Sequence, residues 1–257
     1  TFYAEQAQLD PRSIRVVSIM PCTAKKFEAG RSEMDSSFSY WKDRMNLSEE
    51  DRFCDVDWAL TTRELAKMLK MVGIDFASLG EGEFDDPLGA STGGAVIFAS
   101  SGGVMEAALR TAVEKLTGSV LQEVEFASLR ERKGIREAAL QIGESTVKVA
   151  VANTLANARV LLDQIKAGTS PYTFIEVMTC PDGCLGGGGQ PIPTNADIRA
   201  KRAQSIYEED RSKPIRKSHE NPAIKDLYAR FLDQPLSQMS HHLLHTTYTK
   251  RLEYPFD

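Results

Sequence analysis

The sequence predicts an α/β fold: a mixed, largely parallel sheet flanked by helices, with a helical C-terminal segment. Two observations carry that expectation. Short β-branched runs, Arg15-Val16-Val17-Ser18-Ile19-Met20 and Thr173-Phe174-Ile175-Glu176-Val177-Met178, alternate with longer stretches of helical periodicity. Strands and helices in alternation build a sheet with helices on its faces. From residue 194 onward, helix start signals follow one another with no strand between them.

The elements follow in order. Residues 15–20 read as a buried strand that stops at Pro21, and residues 29–55 as a polar, exposed excursion. Asp57 to Leu60 is a short strand. Thr61-Thr62-Arg63-Glu64 has capping-box spacing and opens a helix through Met71, closed by Gly73. Residues 80–103, rich in Gly, Ser and Asp, read mostly as loop. A helix runs from Val104 to Leu116 and stops at Gly118. Residues 136–142 and 146–151 flank Gly143-Glu144 as a hairpin. Asn153 is the expected cap of a helix to Ala167, closed by Gly168. Thr194 caps a helix to about Glu209, Asn221-Pro222 starts one to Leu232, and Ser237 caps the last, through His245.

The chain has 257 residues, of which 42% are hydrophobic and 26% charged. These are globular values that exclude disorder, collagen and coiled coil. No apolar run reaches the ~18 residues of a membrane span. A net charge of −5 argues against nucleic acid as the main partner. The first residues, Thr1-Phe2-Tyr3-Ala4-Glu5, lack the basic and apolar regions of a signal peptide and read like the middle of a helix, which suggests a processed chain or a piece of a longer one. A cytoplasmic location is expected, with the periplasm as the other candidate. There is no internal repeat or linker, so residues 1–257 read as one domain or part of one.

Four cysteines, Cys22, Cys54, Cys180 and Cys184, are too few for a disulfide scaffold but enough for a metal site. Cys22 and Cys180 each sit just past a predicted strand, where open α/β sheets gather their ligands. Cys180 to Pro191 contains four consecutive glycines, Gly186 to Gly189, which cost backbone entropy and suggest a close approach by backbone. A phosphate loop would need Gly-Lys-Ser or Gly-Lys-Thr, which does not follow. A zinc site would need a fourth ligand, and no His lies near either cluster. A thiolate-bound iron–sulfur cluster, whose sulfurs accept backbone N–H bonds, fits best. Beside Cys22 stand Lys25, Lys26 and Glu28, which by composition alone read as a solvated turn.

These residues carry a resemblance. The chain resembles the C-terminal part of the catalytic domain of [FeFe]-hydrogenases. That family's second signature, Met-Pro-Cys-x-x-Lys-x-x-Glu, stands here as Met20-Pro21-Cys22-Thr23-Ala24-Lys25-Lys26-Phe27-Glu28. The third, Glu-x-Met-x-Cys-x-x-x-Cys, stands as Glu176 to Cys184 with glycines after it. Thr61 to Leu65, Gly102 to Ala108 and Arg216 to Asn221 also resemble the family.

The resemblance implies an H-cluster, a [4Fe-4S] cubane joined to a two-iron subsite with CO, cyanide and a dithiolate amine bridge. Cys22 and Cys180 would ligate the cubane and Cys184 would bridge the two parts. Lys25 would hydrogen-bond a cyanide, and Glu28 would relay protons. Met20, Pro21, Met178, Ser91, Phe98, Gly189 and Gln190 would line the pocket. The implied reaction is reversible hydrogen oxidation and proton reduction, with a ferredoxin-like electron partner or subunit. The family's first signature, Thr-Ser-Cys-Cys-Pro-x-Trp, is not in the sequence. It supplies the fourth cubane ligand and a first proton carrier, so the expected enzyme needs an upstream segment or a second chain. Cys54 reads as a non-ligand thiol. Two other readings remain: a hydrogenase-like [4Fe-4S] protein of iron–sulfur protein assembly, and an H2-sensing relative.

Overall fold

A computed structural model describes residues 1–85, 88–121, 123–131, 134–142 and 145–250. The chain runs α1 (Phe2–Ala7), β1 (Val17–Met20), α2 (Ala24–Ala29), α3 (Ser36–Met45), β2 (Trp58–Thr61), α4 (Thr62–Met71), α5 (Gly93–Val96), α6 (Gly103–Thr117), α7 (Ala127–Arg130), β3 (Ile135–Ile142), β4 (Ser145–Asn153), α8 (Leu155–Lys166), β5 (Phe174–Met178), α9 (Ala196–Ser212), α10 (Pro222–Leu227) and α11 (Gln238–Leu244). Short 3-10 turns join them, and a π-helical turn, Tyr228–Leu232, follows α10. The fold is mixed α/β with a helical C-terminal region, as the sequence predicts. The chain divides into two compact units: residues 1–61 with 226–257, and residues 62–225.

In the first unit β1 pairs with β2 in parallel, Val17 opposite Trp58 and Met20 opposite Thr61. The expectation of a buried strand fails here. Val17 and Ile19 stand 48% and 40% exposed. β1 has only β2 beside it among the described strands. An apolar run records that a strand face favours cover, not which residues provide it.

The expected polar excursion over 29–55 is corrected too. It contains α3, whose Phe38 and Tyr40 are buried. Phe38 meets Phe53 edge-on at 5.8 Å between ring centroids, and Tyr40 meets Phe231 at 5.7 Å. The N-terminus of α3 is satisfied from a distance in sequence: the Asp55 carboxylate accepts from the amides of Ser36 (3.0 Å) and Ser37 (2.8 Å). Asp35 stands at the N-cap position, but its side chain makes no capping bond, so the local sequence does not supply the partner of those amides.

The second unit holds the three-stranded sheet, in order β3-β4-β5. β3 and β4 are antiparallel, Ile135 opposite Ala152 and Ile142 opposite Ser145. The hairpin is therefore present, while its expected turn residues, Gly143 and Glu144, lie outside the described residues. β4 and β5 are parallel, Val149 opposite Phe174 and Asn153 opposite Met178. β4 reads as a near-continuous apolar run because both its faces are covered. Val149 and Val151 pack against Met105, Leu109 and Leu129, and Ala150 and Ala152 against Ala158 and Leu161.

Two corrections concern caps. Asn153 does not cap α8. It is the last residue of β4, and Thr154 precedes the helix with φ 77° and ψ 153°. Asn195, not Thr194, caps α9, its side chain accepting from Ile198 N at 2.9 Å. Ser237 caps α11 as expected.

Behind α6 lies a buried ionic network. Arg110, fully buried, donates to Asp210 Oδ1 (2.8 Å) and Oδ2 (2.8 Å) and to Glu106 Oε1 (2.6 Å). Arg130 and Arg216 join the network, and Glu125, which pairs with both, makes three carboxylates for three arginines. Burial alone would raise the Asp210 pKa. Hydrogen bonds from Arg110 and Arg216 outweigh it and hold the group at about 2.

Candidate metal centre

The cysteine set divides between the units, and each half has its own support. In the first unit β1 ends at Met20, and Pro21, which cannot donate to the ladder, ends the strand pairing. Cys22 follows as a half-buried thiol. α2 then places Lys25 and Glu28 three residues apart on one helical face, and Lys25 Nζ donates to Glu28 Oε2. Both side chains are partly exposed. The same face of α2 borders an open cavity of about 290 Å³ that Tyr248 and Thr249 help line. Met20 is 37% exposed. Cys54 is exposed.

In the second unit β5 ends at Met178, and Cys180 and Cys184, both half-buried thiols, bracket a tight turn. Gly183 N donates to Cys180 O (3.0 Å), and Gly187 N to Cys184 O (3.1 Å). Asp182 (φ 59°) and Gly183 (φ 76°) take the left-handed region in succession. A β-carbon on Gly183 would stand 2.6 Å from Ser101 N and 2.8 Å from Met178 Sδ. One on Gly186 would stand 2.1 Å from Pro181 O. At these two positions the close approach that glycine permits is to the protein's own atoms.

The strand that delivers Cys180 also fixes the helix beside it. Glu176 is buried, and its carboxylate accepts from Gly102 N (2.6 Å) and Met105 N (2.7 Å) at the start of α6. A carboxylate at a helix N-terminus satisfies orphan amides and the macrodipole together. The glutamate of the third signature is therefore a structural clamp.

Other residues support the turn without having been expected at the site. Asn153 Nδ2 donates to Cys180 O (2.8 Å), and its Oδ1 accepts from Asp182 N (3.1 Å). Thr154 N donates to Met178 O (2.7 Å), at the cost of a φ that β-branched residues avoid. Arg199 Nε meets Asp182 Oδ2 at 2.7 Å. Arg202 donates to Leu185 O (2.8 Å) and Pro191 O (3.1 Å). Asn153 looked like a helix cap because it precedes a helical run. Its position beside Cys180 depends on the β4–β5 register.

Met178, Cys180, Cys184, Gly189 and Gln190 are thus gathered on one turn and the loop after it, and Gln190 Nε2 donates to Cys184 O at 3.0 Å. Ser91 and Phe98 belong to the same unit, where both are exposed, Phe98 by 48%. Met20, Pro21, Cys22, Lys25 and Glu28 belong to the first unit.

The donor chemistry fits an iron–sulfur group. Cys22 and Cys180 lie just past strand ends and Cys184 opens the 3-10 turn that follows; all three are half-buried, and thiolate is the ligand such clusters take. Together these features define a mixed α/β protein carrying half-buried thiols of the donor type that iron–sulfur groups take. The chain belongs to the iron only hydrogenase family: the model for the C-terminal domain of the iron only hydrogenase large subunit matches residues 1–188, and that for the iron hydrogenase small subunit matches residues 196–251.

Among similar proteins is the NADP-reducing hydrogenase subunit HndD of Solidesulfovibrio fructosivorans, 47% identical over 98% of this chain and 40% of that protein. Cytosolic iron-sulfur assembly component 3 of Rattus norvegicus is 30% identical over 96% of this chain and 50% of its own length. A solved variant of [FeFe]-hydrogenase HydA1 from Chlamydomonas reinhardtii aligns with TM-score 0.77 and 37% identity, over 96% of this chain and 66% of that one. The chain therefore spans half or less of these curated relatives. Among the described residues no helix is long and apolar enough to cross a membrane.

Proposed function

We propose that this chain is the C-terminal part of an [FeFe]-hydrogenase catalytic domain, interconverting H2 with two protons and two electrons at an H-cluster. The observation that carries the reading is the turn from Cys180 to Cys184, held from all sides and followed by the glycine loop, in a chain 47% identical to a hydrogenase subunit. Cys22 and Cys180 would hold the [4Fe-4S] cubane, and Cys184 would be the thiolate shared with the two-iron subsite. When bound, that group would relay the partner's electrons and offer the metal position at which two protons are reduced.

The remaining roles fall to this chain's own side chains. The Lys25 ammonium has three N–H donors, of which Glu28 takes one, leaving others for a cyanide ligand. The Glu28 carboxylate accepts a proton and passes it on. Met20, Pro21, Met178, Ser91, Phe98, Gly189 and Gln190 exclude water from the subsite. An upstream segment or second chain supplies the first signature and the fourth cubane ligand. Electrons arrive from a ferredoxin-like partner or subunit, in the cytoplasm.

One other reading has an observation behind it. The similarity to cytosolic iron-sulfur assembly component 3 suggests a [4Fe-4S] assembly factor. The Lys25–Glu28 pair favours the enzyme, because an ordinary cubane presents no cyanide for Lys25. Infrared spectra of the anaerobically matured protein, with its upstream segment, are expected to show CO and cyanide stretches. An ordinary cubane EPR signal without those bands would sink the proposal. Cys184→Ala is expected to remove the bands while sparing most of the cubane signal; retained hydrogen evolution would refute the bridging role.

A further inference from the structure

The glycine loop after Cys184 is gripped from outside by one arginine. Arg63, in the first turn of α4, donates from Nε to Gln190 O (2.9 Å) and from Nη2 to both Gly188 O (2.9 Å) and Gln190 O (2.7 Å). Its own backbone N–H meets Gly189 O at 2.9 Å. Three successive carbonyls are thus bound by one residue. The grip continues inward: Gln190 Nε2 donates to Cys184 O at 3.0 Å, and Gln190 N to Gly187 O at 3.0 Å. A loop of consecutive glycines has little stiffness of its own, so its shape must be imposed by its contacts. A planar guanidinium, with its donors in a fixed fork, can fix two carbonyls at once; an ammonium cannot hold that geometry.

We propose that Arg63 is a positioning residue for Cys184: through Gly188–Gln190 it fixes the loop that aims the bridging thiolate at the two-iron subsite. The inference deepens the H-cluster reading and rests on it, but its first test needs no cluster. Arg63 is exposed, so replacing it removes the guanidinium's hold on Gly188 O and Gln190 O, leaving the backbone bond to Gly189 O, without opening the core.

In the cluster-free protein containing this chain and its upstream segment, hydrogen exchange is measured on peptides covering residues 185–190. Arg63→Ala is expected to raise exchange there by about tenfold, the ratio given by losing roughly one net charge-assisted hydrogen bond. Arg63→Lys, which keeps the charge and loses the fork, is expected to fall between. After maturation, Arg63→Ala is expected to keep the cubane EPR signal while CO and cyanide band intensity per cubane falls severalfold, and added methylguanidinium is expected to restore part of it. Unchanged exchange in both variants would overturn the grip. Raised exchange with full band intensity at unshifted frequencies would overturn the positioning role. Absence of CO and cyanide bands in the unsubstituted protein would instead overturn the H-cluster reading, and with it the positioning role, leaving the grip to the exchange result.

Discussion

The Cys22 and Cys180–Cys184 regions support their thiols in different ways. Around Cys22, apart from the parallel ladder to β2, where Val17 pairs with Trp58, support is local: a proline and a six-residue helix whose partly exposed Lys25 and Glu28 pair with each other. Around Cys180 and Cys184, support comes from far along the sequence. Asn153, Arg199, Arg202, Arg63 and the Ser100–Ser101 backbone all bond the turn or the loop after it, with the buried Arg110–Asp210 network elsewhere in the same unit. Local support leaves room for a side chain to change partner, as a proton carrier must. Long-range support holds a geometry, as a bridging ligand must.

That contrast can be broken in order of expected effect. The largest lies in the second unit. Asp210→Asn leaves the fully buried Arg110 short of a counter-charge and is expected to cost about 3–5 kcal/mol in urea unfolding. The same residue sets an acid dependence. Its folded pKa of about 2 lies below the unfolded value near 4, so its stabilisation is complete above about pH 4 and lost as pH falls towards 2. The amount is on the order of 2 kcal/mol. Unfolding measured between pH 5 and 2 should show that portion in the unsubstituted protein and lack it in Asp210→Asn.

Next comes Asn153→Ala, which removes one of the two donors to Cys180 O, leaving Gly183 N, and the side-chain acceptor of the Asp182 amide. A loss of about 1–3 kcal/mol is expected, with faster iron release to a chelator. Iron release equal to that of the unsubstituted protein would show that the turn keeps its shape without Asn153. The smallest effect on stability belongs to the first unit. Glu28→Gln removes one partly exposed ion pair and should change unfolding by less than about 0.5 kcal/mol. Its hydrogen turnover should nonetheless fall by roughly a hundredfold, the scale of losing a general acid–base group. A large stability loss in Glu28→Gln would erase the contrast between the two regions.

Much of this was legible in the chain. Proline after a β-branched run, glycine after a helical run, and cysteine just past a strand are local signals, because the backbone preferences behind them act over a few residues. The signature segments around Cys22 and Cys180 are of the same kind. α3 was not legible, since the carboxylate that satisfies its first amides, Asp55, lies 18 residues or more away. The exposure of β1 was not legible either, since a strand's sequence does not name what packs on it.

The sequence by itself determined most element types, though not α3, along with the thiols and the Lys25–Glu28 spacing that a helix turns into a pair. Only the tertiary structure decided that Glu176 clamps α6, that Asn153 serves Cys180 rather than α8, and that Arg63 grips the glycine loop. The physical reason is the range of the forces. Backbone dihedral preferences and i, i+3 contacts are set within a turn of chain. A hydrogen bond between residues 63 and 188, by contrast, exists only once sheet register and core packing have brought them to within 3 Å.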